Sequence, residues 1–464
     1  MRLLHAIHDF LPRYRAGSEV YALTLAHELA RRHHVTILCA DYDPVRPHGE
    51  VVWRLHEGLP VVEVINNWVC GSFEDTYRSP VMGDRLRHVL RAVQPDVVHV
   101  HNLLNLSFDL PSLARAAGIP VVATLHDYTL VCASGGQRIH RADHYVCHEI
   151  DLDRCARCFS ESPFQTRMSL GLVAAAPAPV RTLAGAVRRQ MPALTRRLAE
   201  AAPRPSDIDA AEMARRLAAA RNAWQQIDLF VAPSQSIATE FERLGLPASR
   251  IRVSDYGFPA IPPPAFALRA SAGQARVAPG ASAGQAPLRI GYVGTLVWHK
   301  GAHVLIDAVR ELPPASCEVK IFGDPHVFRD YASDLRARAS GLPVTFMGPF
   351  DRPGMADAYG SFDVLVVPSL WLENSPLVIH EAYQSGVPVI GSRIGGIADL
   401  VRDGWNGQLF EPGSAADLAA VLRRVIEQPA CLQVFAGRLP AVKSIGDDCL
   451  EWEARYAEVL NGRT

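Results

Sequence analysis

No stretch of this 464-residue chain stays apolar for the ~18–20 residues that a membrane-spanning helix needs. The longest candidate, residues 170–180, is short and broken by prolines, so any membrane contact would be peripheral. Nor is one sign of charge in excess. The 47 lysines and arginines stand against 48 aspartates and glutamates, which argues against a dedicated nucleic-acid binder. Glycine is missing where a dinucleotide fingerprint would need it: residues 8–16, between the first strand-like run and the helix that follows, contain none, so no GxGxxG can form. The nine cysteines are an odd number scattered from Cys39 to Cys449. Met1 leads straight into Leu3-Leu4-His5-Ala6-Ile7 with no charged n-region and no apolar h-region, and the expectation is a reducing, cytoplasmic setting.

What is present is 48% hydrophobic and 20% charged residues, the profile of a globular protein. The length exceeds what one core supports, since single cores stop growing near ~250–300 residues. Strand-like runs at residues 3–7, 35–38, 96–100 and 121–125 alternate with helical patterns at 19–32, 82–93 and 113–117. The same rhythm returns after Pro287, with strands at 288–293, 318–322, 344–347, 363–367 and 387–390. Strand, helix, strand with short connections predicts parallel sheets covered on both faces. The fold class is therefore α/β, with two Rossmann-like doubly wound domains facing across a cleft. Residues 1–260 form the first domain, with a helical and cysteine-containing insertion at about 130–225. A Pro/Ala/Gly/Ser-rich linker covers 261–287, the second domain 288–445, and residues 446–464 form a helix that packs back on the first domain.

Four constellations bear on chemistry. In the first, a buried strand runs out at Pro368, a loop carries Glu373, and Pro376 suits the first turn of a helix capped by Asn374 or Ser375, with Glu381 inside that helix. The backbone of Asn374, Ser375, Pro376 and Leu377 then lies at a helix N-terminus, where a diphosphate finds amide donors and the positive end of the dipole. Carboxylates on either side suit a ligand with hydroxyls at both ends. The second is Gly291-Tyr-Val-Gly294-Thr295-Leu-Val-Trp-His299-Lys300-Gly301, where Lys300 stands at the mouth of a helix. It either neutralises a phosphate as a point charge or is a solvated helix-entry lysine. The third is Ala16-Gly17-Ser18-Glu19, a glycine that lets backbone approach a ligand at a helix start. The fourth is Thr124-Leu-His126-Asp127-Tyr128 at a strand end, with Asp127 placed by adjacency to orient His126.

The glutamates of the first constellation, separated by seven residues, resemble the paired-glutamate motif of glycosyltransferase family 4. The resemblance is strongest over residues 288–410 and looser over 1–257. It implies the glycosyltransferase B architecture, retention of anomeric configuration, no obligatory catalytic metal, and a nucleoside diphosphate sugar as donor. On matching positions it implies that Glu373 contacts the transferred sugar, Glu381 the ribose hydroxyls, Lys300 the diphosphate, His126 the donor sugar, and Gly17 the donor phosphates and acceptor. Gly323, Asp324 and residues 347–350 stand where base and ribose contacts are usual. Two departures are evident. Asn374-Ser375-Pro376 replaces a glycine-aromatic-glycine run, and Thr295 stands after Gly294 where an arginine is usual. The implied acceptor is a saccharide or lipid-linked saccharide. A sugar-nucleotide epimerase of the same fold and a non-catalytic sugar-nucleotide-binding protein are the alternatives, while the missing fingerprint disfavours a nicotinamide-dependent oxidoreductase.

Two features lie outside this motif set. Cys132, Cys147, Cys155 and Cys158 form a cluster that reads either as one structural zinc site or as ordinary loop cysteines, with His140, His144 and His148 as competing ligands. Residues 160–225 are rich in arginine, including Arg167, Arg181, Arg188, Arg189, Arg196 and Arg197. They are a candidate for docking on anionic lipid or simply solvated helices.

Overall fold

A strand buried on both faces must be apolar at nearly every position. Val97–Val100 and Val121–Thr124 meet that condition, being buried throughout in the computed structural model of the chain. The structure describes residues 1–140, 143–174, 179, 190–191, 208–261 and 286–462. The expected linker and the arginines at 181, 188, 189, 196 and 197 fall outside these residues.

The chain divides into two units, residues 1–257 with 445–464, and residues 258–444. The first contains β1 (Arg2–Ile7), β2 (His34–Asp41), β3 (Val51–His56), β4 (Leu59–Ile65), β5 (Val97–Val100), β6 (Val121–Thr124), the small hairpin β7 (Ile139–His140) and β8 (Tyr145–Val146), then β9 (Leu229–Ala232) and β10 (Ile251–Val253). Eight of these make one sheet in the order β10-β9-β6-β5-β1-β2-β4-β3. All its pairings are parallel except β3 with β4. That antiparallel edge departs from the all-parallel expectation, and Glu57-Gly58 accounts for it. Both residues have positive φ (49° and 85°), which gives a two-residue turn of the hairpin-compatible hand. β3 then alternates between intermediate and exposed residues, as an edge strand does.

The helix Ile445–Asn461 belongs to this first unit and packs along the helix Gly17–Ala30. Its Trp452 and Tyr456 are fully buried. The Tyr21 hydroxyl donates to Asp448 (2.8 Å), and the Trp452 indole N–H donates to the Tyr21 oxygen (3.0 Å), so buried polar groups on both helices are satisfied.

The second unit holds β11 (Leu288–Val293), β12 (Cys317–Phe322), β13 (Val344–Gly348), β14 (Val364–Val367), β15 (Val389–Ser392) and β16 (Gly407–Phe410). They form a parallel sheet in the order β13-β12-β11-β14-β15-β16, with a separate apolar cluster on each face. The strand order reverses between β11 and β14, and in doubly wound sheets the crevice at that point is where ligands bind. No described helix is long and apolar enough to cross a membrane.

Candidate active site

The loop from β14 to the helix Leu377–Gln384 brings Glu373 down to 4% exposure. A carboxylate removed from water needs compensation. It receives the Lys300 ammonium at 2.6 Å and the Ser369 hydroxyl at 2.7 Å, both on Oε1. Lys300 also stands 5.0 Å from the centre of the Trp371 ring. The Trp371 indole N–H is buried without an acceptor among the described residues. The structure thus joins Lys300 from the β11 side to Glu373 from the β14 side, across the point where strand order reverses.

Two glycines make this approach possible. Gly301 has φ +72°, and a Cβ there would lie 1.8 Å from the Pro368 carbonyl oxygen. Gly395 has φ +53°, and a Cβ there would lie 2.5 Å from the Glu373 carbonyl oxygen, which also accepts from the Gly396 amide at 2.7 Å. The Glu373 loop is therefore held from both sides by backbone that only glycine permits. The sequence reading did not assign Gly395 and Gly396 a role. Their signal was two glycines directly after an apolar strand.

Glu381 does not join this pair. Its carboxylate accepts from the Tyr359 hydroxyl at 2.6 Å. Burial raises its pKa, while the Tyr359 bond and the Arg352 charge act the other way. Asn374 and Ser375 are buried. The expected cap is not formed by either: Pro376, extended at φ −64° and ψ 117°, is itself the N-cap, and Leu377 opens the helix. Ser375 is used elsewhere, its hydroxyl 2.8 Å from His380 Nε2, and the His380 ring stacks on Phe258 with centroids 4.6 Å apart. Gly294 follows β11 with its amide donating to Phe322, and Thr295 is exposed beside it. Gly323 abuts Gly294, since a Cβ there would lie 2.4 Å from the Gly294 carbonyl oxygen.

In the first unit, Gly17 opens its helix, and the following Glu19, 2% exposed, closes the turn by accepting from the Ala16 amide (3.0 Å) and facing His8 Nε2 (3.3 Å). His126 ends β6. Its Nδ1 is 2.7 Å from the Tyr256 hydroxyl and its Nε2 is 2.9 Å from His101 Nδ1. The chain of contacts continues from His101 Nε2 to His5 Nδ1 (3.1 Å), and the Tyr456 hydroxyl lies 2.8 Å from His99 Nδ1 and 3.5 Å from His5 Nε2. His5, His99 and His101 bring three nitrogens within 4.8 Å of one another, as a metal site would. Each of their ring nitrogens already faces a protein partner, however, which identifies a hydrogen-bonded relay rather than a ligand set.

One expectation is corrected here. Asp127 does not orient His126; its carboxylate accepts from Thr129 N (2.7 Å) and Asn102 Nδ2 (2.8 Å), leaving Tyr256 and His101 to fix the ring. Tyr128, the next residue, turns into the core. It is 1% exposed and stacks on Phe241, because the chain turns inward at the Thr129 bond to Asp127.

Burial lowers the pKa of both His5 and His126 to about 3, from an ordinary value near ~6.5. The unfolded chain therefore takes up protons below about pH 6.5 that the folded chain refuses until about pH 3. Each imidazole removes about 1.4 kcal/mol of stability per pH unit inside that window. Unfolding of the first unit, followed by Trp452 fluorescence in urea, is expected to shift to lower urea as the pH falls from about 7 to about 5. A midpoint that stays constant over that range contradicts the neutral relay.

Cys132, Cys147, Cys155 and Cys158 line one cavity together with His140. His144 and His148 are not among its lining residues. Arg167, from the arginine-rich segment, lies over the rings of Trp68 and Phe164, 5.8 and 5.5 Å from their centres.

Two family models match this chain, one described as Glycosyltransferase Family 4 over residues 15–189 and one described as Glycosyl transferases group 1 over residues 287–428. The chain belongs to glycosyltransferase family 4. Within the curated proteins, it is 30% identical over 240 residues to the sulfoquinovosyl transferase of Arabidopsis thaliana, a match covering 50% of this chain and 44% of that protein. It is 33% identical over 158 residues to the D-inositol 3-phosphate glycosyltransferase of Rhodococcus opacus (strain B4), covering 32% and 35%. The chain spans less than half the length of these relatives. Sucrose-phosphate synthase from Thermosynechococcus elongatus superposes with a TM-score of 0.62 at 17% identity, over 99% of both chains. The Anabaena protein HepE in complex with UDP and glucose gives 0.59, also at 17% identity and over 99% of both chains. At such identities the family-4 chain shares their fold, the two Rossmann-like domains of the glycosyltransferase B type.

Proposed function

We propose that this protein is a retaining glycosyltransferase that moves a sugar from a nucleoside diphosphate sugar to an acceptor hydroxyl. The observation that carries this reading is the Lys300–Glu373 pair at the strand-order reversal of the second unit, with the Glu381 carboxylate on the helix that follows. Lys300 supplies positive charge for the leaving diphosphate, Glu373 holds sugar hydroxyls, and Glu381 holds the ribose. The Trp371 N–H beside them is a buried donor suited to a ligand oxygen. His126, in the first unit, is a neutral imidazole whose polar edge is already engaged by Tyr256 and His101.

In the reaction, the acceptor oxygen attacks the anomeric carbon from the face that the diphosphate leaves. The bond from that carbon to the phosphate oxygen breaks with its electron pair going to the diphosphate. The acceptor proton passes to the departing phosphate oxygen. Positioning and charge stabilisation account for catalysis without a protein nucleophile or an obligatory metal. The HepE complex makes a uridine diphosphate sugar the first donor to try, and the D-inositol 3-phosphate glycosyltransferase makes a polyol phosphate the first acceptor to try, beside the saccharide or lipid-linked saccharide that the family resemblance implies. A lipid-linked acceptor would place the protein at the cytoplasmic face of a membrane.

The test is a panel of UDP-, GDP- and ADP-sugars, first by thermal shift, where a ligand at 100 times its Kd stabilises by about 2.7 kcal/mol, and then with acceptors. A glycosylated acceptor of unchanged anomeric configuration is expected. Donor converted without acceptor to an isomeric sugar nucleotide would instead establish an epimerase.

A further inference from the structure

We propose that the cavity lined by Cys132, Cys147, Cys155 and Cys158 binds one zinc ion on four thiolates, pinning the loop after β6 to the β7–β8 hairpin and to the helix Leu152–Ser160. Three independent features meet at this place. The first is the convergence itself. The four residues come from the loop, the hairpin and two positions one turn apart on the helix, they share a single cavity, and all nine cysteines of the chain are thiols. The helix that carries Cys155 and Cys158 is itself well defined, with Asp151 capping it by accepting from the Arg154 amide at 3.0 Å.

The second feature is His140, 2% exposed and lining the same cavity. Its Nδ1 stands 3.2 Å from both the Asp143 amide nitrogen and an Asp143 carboxylate oxygen, and its buried Nε2 has no partner among the described residues. With the ring proton on Nε2, a metal-bound thiolate sulfur would accept it, and hydrogen bonds of this kind are the usual surroundings of a metal ligand. The third is Arg216, 5% exposed, whose guanidinium donates only to the carbonyls of Thr129 (2.7 Å) and Leu130 (3.2 Å) and lies 5.0 Å from the centre of the Phe108 ring. It makes no ion pair among the described residues, and the Leu130 carbonyl that it holds lies two residues before Cys132. A buried cation without an anion is costly. A zinc ion on four thiolates carries two net negative charges, on the loop whose backbone this guanidinium holds. The two carboxylates that also line the cavity, Glu149 and Asp151, are exposed.

The only described set of three ligand atoms that closes to within 4.8 Å is the histidine relay, so the four side chains must rotate inward when the metal enters. In that step the four thiols give up their protons to solvent as four zinc–sulfur bonds form, at lengths of about 2.3 Å. The arrangement leaves no open coordination position, which makes the site structural. Its effect within the first unit reaches His126 through the loop, where the Tyr128 carbonyl accepts the Cys132 amide at 2.7 Å two residues after His126.

The decisive experiment is elemental analysis of the full chain, reconstituted with zinc and freed of excess metal, beside the variants Cys155→Ser/Cys158→Ser and His140→Ala. About one equivalent in the wild type and in His140→Ala is expected, with less than about a tenth in the double-serine variant, together with the visible bands of tetrahedral thiolate coordination when cobalt replaces zinc in the wild type. The wild-type measurement does not depend on the variants folding. Less than about a tenth of an equivalent in the wild type, zinc retained by the double-serine variant, or zinc lost from His140→Ala each overturns the four-thiolate assignment.

Discussion

Replacing Lys300 by alanine is expected to lower turnover about 100- to 1,000-fold, the range for removing one preorganised stabiliser of developing transition-state charge. Two losses combine. The departing diphosphate loses its point charge, and Glu373, at 4% exposure, keeps only the Ser369 hydroxyl as a carboxylate partner among the described residues. A buried carboxylate stripped of its counter-ion is left undercompensated, and its rearrangement displaces the group that holds the sugar. Glu373→Ala should lower kcat by a similar factor while nucleotide affinity changes little, since its contact is with the transferred sugar. Because the two side chains act as one unit at 2.6 Å, the double variant should be no slower than the worse single one. Turnover of Lys300→Ala within about threefold of wild type would return this residue to the role of a solvated helix-entry lysine.

Glu381→Ala should act on binding instead, weakening the nucleoside diphosphate by about 10- to 100-fold. Hydrogen bonds to a charged group are worth about 1.5–3 kcal/mol, and the ribose would lose its pair while Tyr359 would lose its acceptor. The interaction is made equally in ground and transition states, so KM rises more than kcat falls. Glu381→Gln is the control, because the amide oxygen still accepts from Tyr359 and preserves the local structure. Calorimetric titration of UDP, GDP and ADP in parallel measures this directly. Equal affinity in wild type and Glu381→Ala for every nucleotide bound removes the ribose assignment.

These residues were legible because their signals are local. An apolar strand running into Pro368, a carboxylate in the loop and a proline before a helix lie within a dozen residues, and strand-end loops are where such sheets bind ligands. The Lys300 position followed from the same logic on the neighbouring strand. What was not legible depended on long-range pairing. His126 is fixed by Tyr256 from 130 positions away, and the Tyr456 hydroxyl reaches His99 across 357 positions, distances over which no spacing rule operates. Asp127 was a reasonable guess by adjacency, but its oxygens bond to Thr129 and Asn102. The cap of the Glu381 helix was missed for another reason. Ser375 had a cap-compatible identity, but a histidine one turn on is a competing partner for its hydroxyl. The β3–β4 edge went unread because its polar alternation is weak beside the apolar runs of the buried strands.

The position of the last helix has a consequence for how this polypeptide can be cut. Residues 258–444 enter and leave at neighbouring points, where the Phe258 amide donates to the Lys443 carbonyl at 2.9 Å and Phe258 bridges Ser444. They are in effect a domain inserted into a surface loop of another, an arrangement that chains tolerate when the two ends lie side by side. The host domain is the discontinuous one. A product ending near residue 444 would retain every residue of the inserted domain yet strip Trp452, Tyr456 and Asp448 from the interior of the other, leaving Tyr21 and His99 without their buried partners. Residues 1–257 therefore do not hold the whole of their own domain, whose interior is completed from the far end of the chain.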